Sequence, residues 1–334
     1  MSGQFVPYQL RVGKGIDRRL FFHTLLKCSD HINIKKATYC SMPGPFAEDF
    51  KAIYNVLKVR DFIAIENDND TVNRQRFNWE FDKANFSYRP SNIFVRDLDT
   101  EDCDSFIIWL DYTSPSNIGK QMEEASEVLS KLQSGDIFRI TLNANPGTLD
   151  DPGEDRMLPE KAKDRRAKLL SRLGVDIDLD HDPTMYGAKK FHETITQCFK
   201  YFANESFQGS TLEFFPFLIT TYQDGPHKMV TIAGVIFNED EWRKFLEESN
   251  IERLPYTTCD WQLRAISIET PSLSDKERLF IDARAELDWS SERIVKDLGF
   301  KVTDGGETKQ VESIQRYLDF RTHLPYITRT APGF

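Results

Sequence analysis

Between residues 37 and 115 the chain alternates short apolar segments with helical patterns, and three of the four apolar segments end at or within two residues of an acid. The first, residues 37–40, meets the tight turn Ser41-Met42-Pro43-Gly44-Pro45 and then an amphipathic helix. The second, residues 62–65, ends in Glu66, and the third, residues 92–95, ends in Arg96-Asp97. The fourth, residues 106–110, ends in Asp111-Tyr112-Thr113-Ser114-Pro115. Strand–helix alternation predicts a parallel sheet with right-handed crossovers. In open sheets of that kind, ligands bind outside the carboxyl ends of the strands. Carboxylates delivered to that edge by consecutive units therefore point to a binding site more than to surface decoration.

The flanking pattern extends this plan. Apolar residues at helical spacing (Ile16, Leu20, Phe21, Leu25, Leu26) predict a helix over residues 15–29. Phe46, Phe50, Ile53, Tyr54 and Leu57 form the stripe of a helix over 45–58, and 70–80 reads as a shorter one. Residues 116–132 read as a helix capped by Ser116, with Met122, Ala125 and Leu129 inward and Glu123 and Glu124 outward. A fifth strand follows over 137–142. Residues 150–210 are more polar, with helices over 159–171 and 188–204, and read as an insertion or cap on the sheet. Strand-like segments 212–222 and 229–237 flank Gln223-Asp224-Gly225-Pro226, which is turn chemistry and predicts a hairpin. The expected fold class is thus α/β: a doubly wound, mostly parallel seven-stranded sheet with a terminal antiparallel hairpin. Its expected organisation is an N-terminal helical lid segment (1–34), a sheet domain (35–240) and a mainly helical extension (241–334). In that extension Ser274 starts a capped helix, 309–321 forms a last one, and 289–300 has the look of a helix-turn-helix.

Composition narrows the function classes. A net charge of −10 argues against nonspecific nucleic-acid binding, which needs several cations against phosphates. No apolar run approaches the roughly 20 residues that span a bilayer, and the N-terminus lacks the basic and apolar regions of a secretion signal. Five cysteines without CxxC spacing read as reduced thiols, so a cytoplasmic location without a structural zinc is expected. Asp176, Asp178, Asp180 and Asp182 alternate but lack the glycine and terminal glutamate of a calcium loop, so no metal site is expected.

The order of units and the placement of the acids resemble the class I S-adenosylmethionine-dependent methyltransferases, a Rossmann-like family, over roughly residues 35–238. The turn departs from that family's glycine-rich loop, having one glycine in Ser41-Met42-Pro43-Gly44-Pro45. The resemblance implies S-adenosylmethionine as cofactor, with Ser41, Met42, Pro43 and Gly44 near its methionine part. It implies Glu66 on the ribose hydroxyls, where a carboxylate makes charge-assisted hydrogen bonds, and Asp97 on the adenine. Arg11 or Lys14, in the segment before the first helix, would meet the cofactor carboxylate. By the same resemblance Asp111 and Tyr112 would stand where the methyl group is transferred, Asp111 as orienting acid or base and Tyr112 as a stacking face. Ser114, Pro115 and Asn143 would border the substrate. The acceptor stays open between oxygen and nitrogen, and between a small molecule, a nucleotide or RNA, and a protein side chain. Two further readings stand beside methyl transfer: a catalytically degenerate fold serving as a binding or regulatory partner, and a nicotinamide enzyme. The second is disfavoured by the absence of G-x-G-x-x-G in the first turn.

Overall fold

The computed structural model describes residues 11–81, 84–100, 103–151, 153, 157–261 and 265–324. Helix α1 (Val12–Cys28) precedes β1 (Thr38–Ser41), α2 (Glu48–Leu57), β2 (Asp61–Ala64), α3 (Asn69–Asn78) and β3 (Ala84–Asn85). There follow α4 (Ser91–Asp97), β4 (Phe106–Asp111), α5 (Ile118–Lys131), β5 (Ile137–Asn143), α6 (Leu158–Leu173) and α7 (Phe191–Ser206). The hairpin β6 (Glu213–Asp224) and β7 (His227–Phe237) leads to α8 (Glu239–Ser249) and β8 (Ile266–Ile268). Helices α9 (Asp275–Ala285), α10 (Ser291–Leu298) and α11 (Glu307–Phe320) complete the order.

The strands form one sheet in the order β3-β2-β1-β4-β5-β7-β6-β8. Strands β1 to β5 run parallel, and β7 lies antiparallel between β5 and β6. A two-residue loop, Gly225-Pro226, closes the hairpin beyond the Asp224–His227 pair. Gly225 has φ +59°, the positive value that tight hairpin turns require. The sheet has eight strands where seven were expected, because the three residues of β8 pair in parallel with β6 at the edge. So short a strand shows no periodicity to read.

The third expected strand, residues 92–95, is instead the middle of helix α4. A four-residue apolar run fits a buried helical turn as well as a strand. Pro90 occupies the N-cap of this helix, and Phe94 and Val95 are buried. The strand actually beside β2 is the two-residue β3. Two further corrections concern α5. It begins at Ile118, behind a short 3-10 turn led by Pro115, and Asn117 rather than Ser116 is its N-cap residue, without a side-chain bond. Glu124, expected to face outward, is 6% exposed because it turns toward Tyr112 on the strand end.

Each face of the sheet carries its own apolar layer. On one, Leu20, Phe21, Phe50 and Ile53 of α1 and α2 pack against Tyr39, Phe62 and Trp109. On the other, Met122, Ala125, Leu129 and Phe199 of α5 and α7 pack against Ile108, Phe138 and Ile140. Helix α7 rests on α5, β6 and β7, while α6 rests on α5. The C-terminal helices share a small cluster of their own around Ile281, Ile294, Ile314 and Tyr317. Among the described residues no helix is long and apolar enough to cross a membrane.

Candidate binding cleft at the strand ends

The sheet order reverses direction between β1 and β4, which makes that gap the topological switch point where a crevice opens. A cavity of about 340 Å³ lies there. Met42 enters it after β1, Ile65 and Glu66 after β2, and Pro90, Ser91 and Asn92 at the start of α4. Asp111, Tyr112, Thr113 and Ser114 close it below, and Lys120, Gln121 and Glu124 of α5 form the far wall.

The turn after β1 keeps its shape without a run of glycines. Gly44 takes φ +63°, and its carbonyl accepts from Gln75 Nε2 at 3.1 Å. The Pro45 carbonyl accepts from Asn78 Nδ2 at 2.9 Å. Two side-chain amides of α3 thus brace a turn that backbone freedom alone would leave loose. Met42 is the member of the turn that lines the cavity, whereas the Ser41 hydroxyl turns away and donates to Asp49 Oδ2 at 2.5 Å. Pro43 is buried, and neither Pro43 nor Gly44 lines the cavity.

Glu66 is aimed by its own backbone. Its Oε1 accepts from the amides of Asn67 at 2.9 Å and Asp68 at 3.2 Å. The second oxygen has a single long contact, from Gln75 Nε2 at 3.4 Å. Burial pushes the carboxyl up from its ordinary value, and the two amide bonds pull it back. The result is a fixed carboxylate with one oxygen still able to accept strong hydrogen bonds.

Asp111 is held more tightly. Lys14 Nζ lies 2.9 Å from its Oδ2 and Arg18 Nη2 lies 3.7 Å from the same atom, all of these side chains being at most 6% exposed. Burial alone would push the Asp111 carboxyl up, but Lys14 and Arg18 outweigh it and keep the group below its ordinary value. Burial lowers Lys14 to about 8, against the pull of Asp111. Asp111 Oδ1 is buried and has no hydrogen-bond partner among the described residues. Next in the chain, the Tyr112 hydroxyl donates to Glu124 Oε2, and Lys120 Nζ stands 3.6 Å from Glu124 Oε1. Burial and then the Glu124 charge push the Tyr112 phenol far up, so it remains a neutral donor.

The remaining candidates divide. Ser114 lines the cavity, and its carbonyl accepts from Gln121 Nε2 at 2.7 Å. Pro115 opens the 3-10 turn behind it. Asn143, 5% exposed, stands back from the cavity as a brace, its Nδ2 reaching the Thr113 carbonyl at 3.4 Å. Lys14, expected at a cofactor carboxylate, is instead the ion-pair partner of Asp111. Arg11 pairs with Asp224 at the hairpin end. Asp97 is an exposed residue at the end of α4, paired with Arg96 at 2.7 Å and outside the cavity, because its segment is helical. Tyr8, Gln9 and Leu10 of the expected lid lie outside the described residues.

Sequence reasoning missed Ser91, Asn92, Gln121 and Glu124 in the lining, and Arg18 behind it. Pro90 just before a polar pair was the available sign of a helix start facing the cleft. For Arg18 the sign was a cation inside the apolar stripe formed by Ile16, Leu20 and Phe21.

A family model described as "Putative O-methyltransferase" matches residues 6–332. No curated protein matches. Among solved structures, the plantazolicin methyltransferase BpumL in complex with SAH is 12% identical, over 70% of this chain and 92% of that one, with a TM-score of 0.34. The precorrin-6y C5,15-methyltransferase from Geobacter metallireducens GS-15 is 11% identical, over 59% and 78%, with a TM-score of 0.30. SMU.1697c from Streptococcus mutans, also in complex with SAH, is 12% identical, over 60% and 89%, with a TM-score of 0.30.

Proposed function

The chain belongs to this family of O-methyltransferases, and on that premise we propose that it carries a methyl group from S-adenosylmethionine to a hydroxyl oxygen. The observation that carries the reading is the polar cavity at the β1–β4 switch point, with the Glu66 carboxylate fixed on its rim. The cavity fits such a cofactor on two counts. Its volume of about 340 Å³ falls within the range of small-molecule sites. It also holds acceptor atoms that the protein leaves unsatisfied, Glu66 Oε2 with one long contact and Asp111 Oδ1 with none.

Glu66 would hold the vicinal hydroxyls of the ribose, and Ser91 and Asn92, rather than Asp97, would face the base. Bound there, S-adenosylmethionine supplies a methyl group made electrophilic by its sulfonium. The acceptor hydroxyl would have to be held in line with that methyl group, its proton passing to water. Positioning provides most of the acceleration in such a displacement. Asp111 would serve that purpose as an anion. Lys14 and Arg18 hold its carboxyl below its ordinary value, which suits it to orienting an acceptor more than to taking its proton. Tyr112, neutral and tied to Glu124, supports the wall beside it.

Thermal denaturation tests the reading. S-adenosylhomocysteine at 100 times its dissociation constant stabilises the fold by about 2.7 kcal/mol, which appears as a clear rise in Tm. No rise at millimolar ligand, or an equal rise with NAD, contradicts it.

A further inference from the structure

Helix α3 is polar along most of its length, and its buried face consists of Thr71, Val72 and Gln75. Gln75, at 0% exposure, stands where helical spacing from Val72 calls for an apolar side chain. Burying a carboxamide is costly unless it is hydrogen-bonded, so its neighbours account for its place. Its Nε2 donates to the Gly44 carbonyl at 3.1 Å and to Glu66 Oε2 at 3.4 Å. Both neighbours are acceptors, so it is the NH2 side of the amide that faces them. The Gln75 Oε1 is buried and has no hydrogen-bond partner among the described residues.

The two acceptors come from different parts of the cleft. Gly44, at φ +63°, belongs to the turn after β1, and Glu66 follows β2. Helix α3 holds them from both of its ends. At its start the Asp68 carboxylate accepts from the Thr71 amide at 2.9 Å, while the Asp68 amide donates to Glu66 Oε1 at 3.2 Å. At its end Asn78 Nδ2 donates to the Pro45 carbonyl at 2.9 Å. Gln75, between them, reaches the turn and the carboxylate with one planar group. Bracing the turn takes one N–H of that group. The second, on Glu66, gives the carboxylate and the turn a common reference point. Gln75 is not part of the cavity lining, so it acts through these neighbours.

We propose that Gln75 is a positioning residue of the cofactor site: its single amide fixes Glu66 relative to the turn that carries Met42 into the cavity. Cofactor affinity then depends on Gln75 through Glu66, and not through the shape of the turn alone. The assignment rests on the switch-point cavity being the cofactor site.

A double-mutant cycle on S-adenosylhomocysteine binding, titrated calorimetrically into the full chain, is the test. Gln75→Met keeps the length of the side chain and removes both donors. It is made alone and together with Glu66→Ala. Asn78→Ala, made in the same two backgrounds, reports what bracing the turn contributes. The expected result is that Gln75→Met weakens binding about tenfold with Glu66 present and about twofold or less with Glu66→Ala, whereas Asn78→Ala has the same effect in both. An equal loss for Gln75→Met in both backgrounds makes Gln75 a structural brace and overturns the proposal. So does no loss at all, or an Asn78→Ala effect that depends on Glu66 just as strongly. Gln75→Asn, which keeps the amide and withdraws it by one methylene, carries the same cycle if circular dichroism shows that Gln75→Met does not fold. An unmodified chain that takes no S-adenosylhomocysteine overturns the reading of the cavity itself, and Glu66→Ala without effect overturns the role of Glu66. Both results are seen before Gln75 is changed.

Discussion

Asp111 keeps its negative charge because two cations of α1 are buried beside it. Burial pushes its carboxyl up and Lys14 and Arg18 more than offset that, so the folded group lies below its ordinary value of 3.8. Arg139 adds to the same pull, while Asp17 and Tyr222 sit in the same buried cluster. For a carboxyl whose folded pKa is depressed, the stabilisation is present above the unfolded value and fades as pH falls through the folded one. At the alkaline side the pair persists until Lys14, lowered to about 8, gives up its proton. Lys14→Met removes the nearest offsetting charge while burial remains, so the Asp111 pKa rises. Acid unfolding followed by circular dichroism then begins at higher pH than in the unmodified chain. An unchanged or lower midpoint means that the Lys14–Asp111 pair contributes nothing. Lys14 and Asp111 each stood out in the sequence, yet their pairing did not. Nothing in the spacing of Lys14 and Asp111 says that a helix start crosses to the end of the fourth strand.

At the scale of elements, the contact between α5 and α6 shapes one wall of the cleft. Gly119 permits it, since a Cβ there would stand 2.0 Å from the Arg172 carbonyl oxygen. From the same turn of α6, Arg172 donates to the Pro115 and Thr148 carbonyls, at 3.4 and 3.0 Å, tying the loops after β4 and β5. Gly119→Ala therefore forces the helices apart and costs about 1–3 kcal/mol, as overpacking does. The urea midpoint falls accordingly, and a midpoint equal to that of the unmodified chain refutes the close approach. Helix α5 was legible because its apolar stripe spans several turns. Residues 91–97 were misread because a run of four apolar residues has no period of its own, and the misreading carried Asp97 into the site with it. The same error hid Ser91 and Asn92, which reach the cleft only because α4 starts there.

Across the whole molecule, α1 is pinned to the middle of the sheet by charges with no access to water. Arg139 of β5 and Asp17 of α1 form an ion pair at 0% exposure, Thr220 of β6 donates to the same carboxylate, and the guanidinium lies 4.0 Å from the Trp109 ring centroid. Breaking a buried pair on one side leaves an uncompensated charge, so Asp17→Asn costs about 3–5 kcal/mol. Denaturant unfolding measures this, and a loss below about 1 kcal/mol, the worth of an exposed pair, contradicts it. Four of the parallel strands and the hairpin were legible from alternation and turn chemistry. The buried charges were not, because pattern reading assigns charged residues to the surface, and β8 was not, because three residues carry no pattern. The account as a whole depends on Glu66 presenting its carboxylate to a ribose at the switch point. Isothermal titration of S-adenosylhomocysteine into the unmodified chain and into Glu66→Ala tests this most directly. The account predicts binding to the unmodified chain and a loss of about 1.5–3 kcal/mol in the variant, the value of hydrogen bonds to a charged group. Equal affinity for both chains would contradict it.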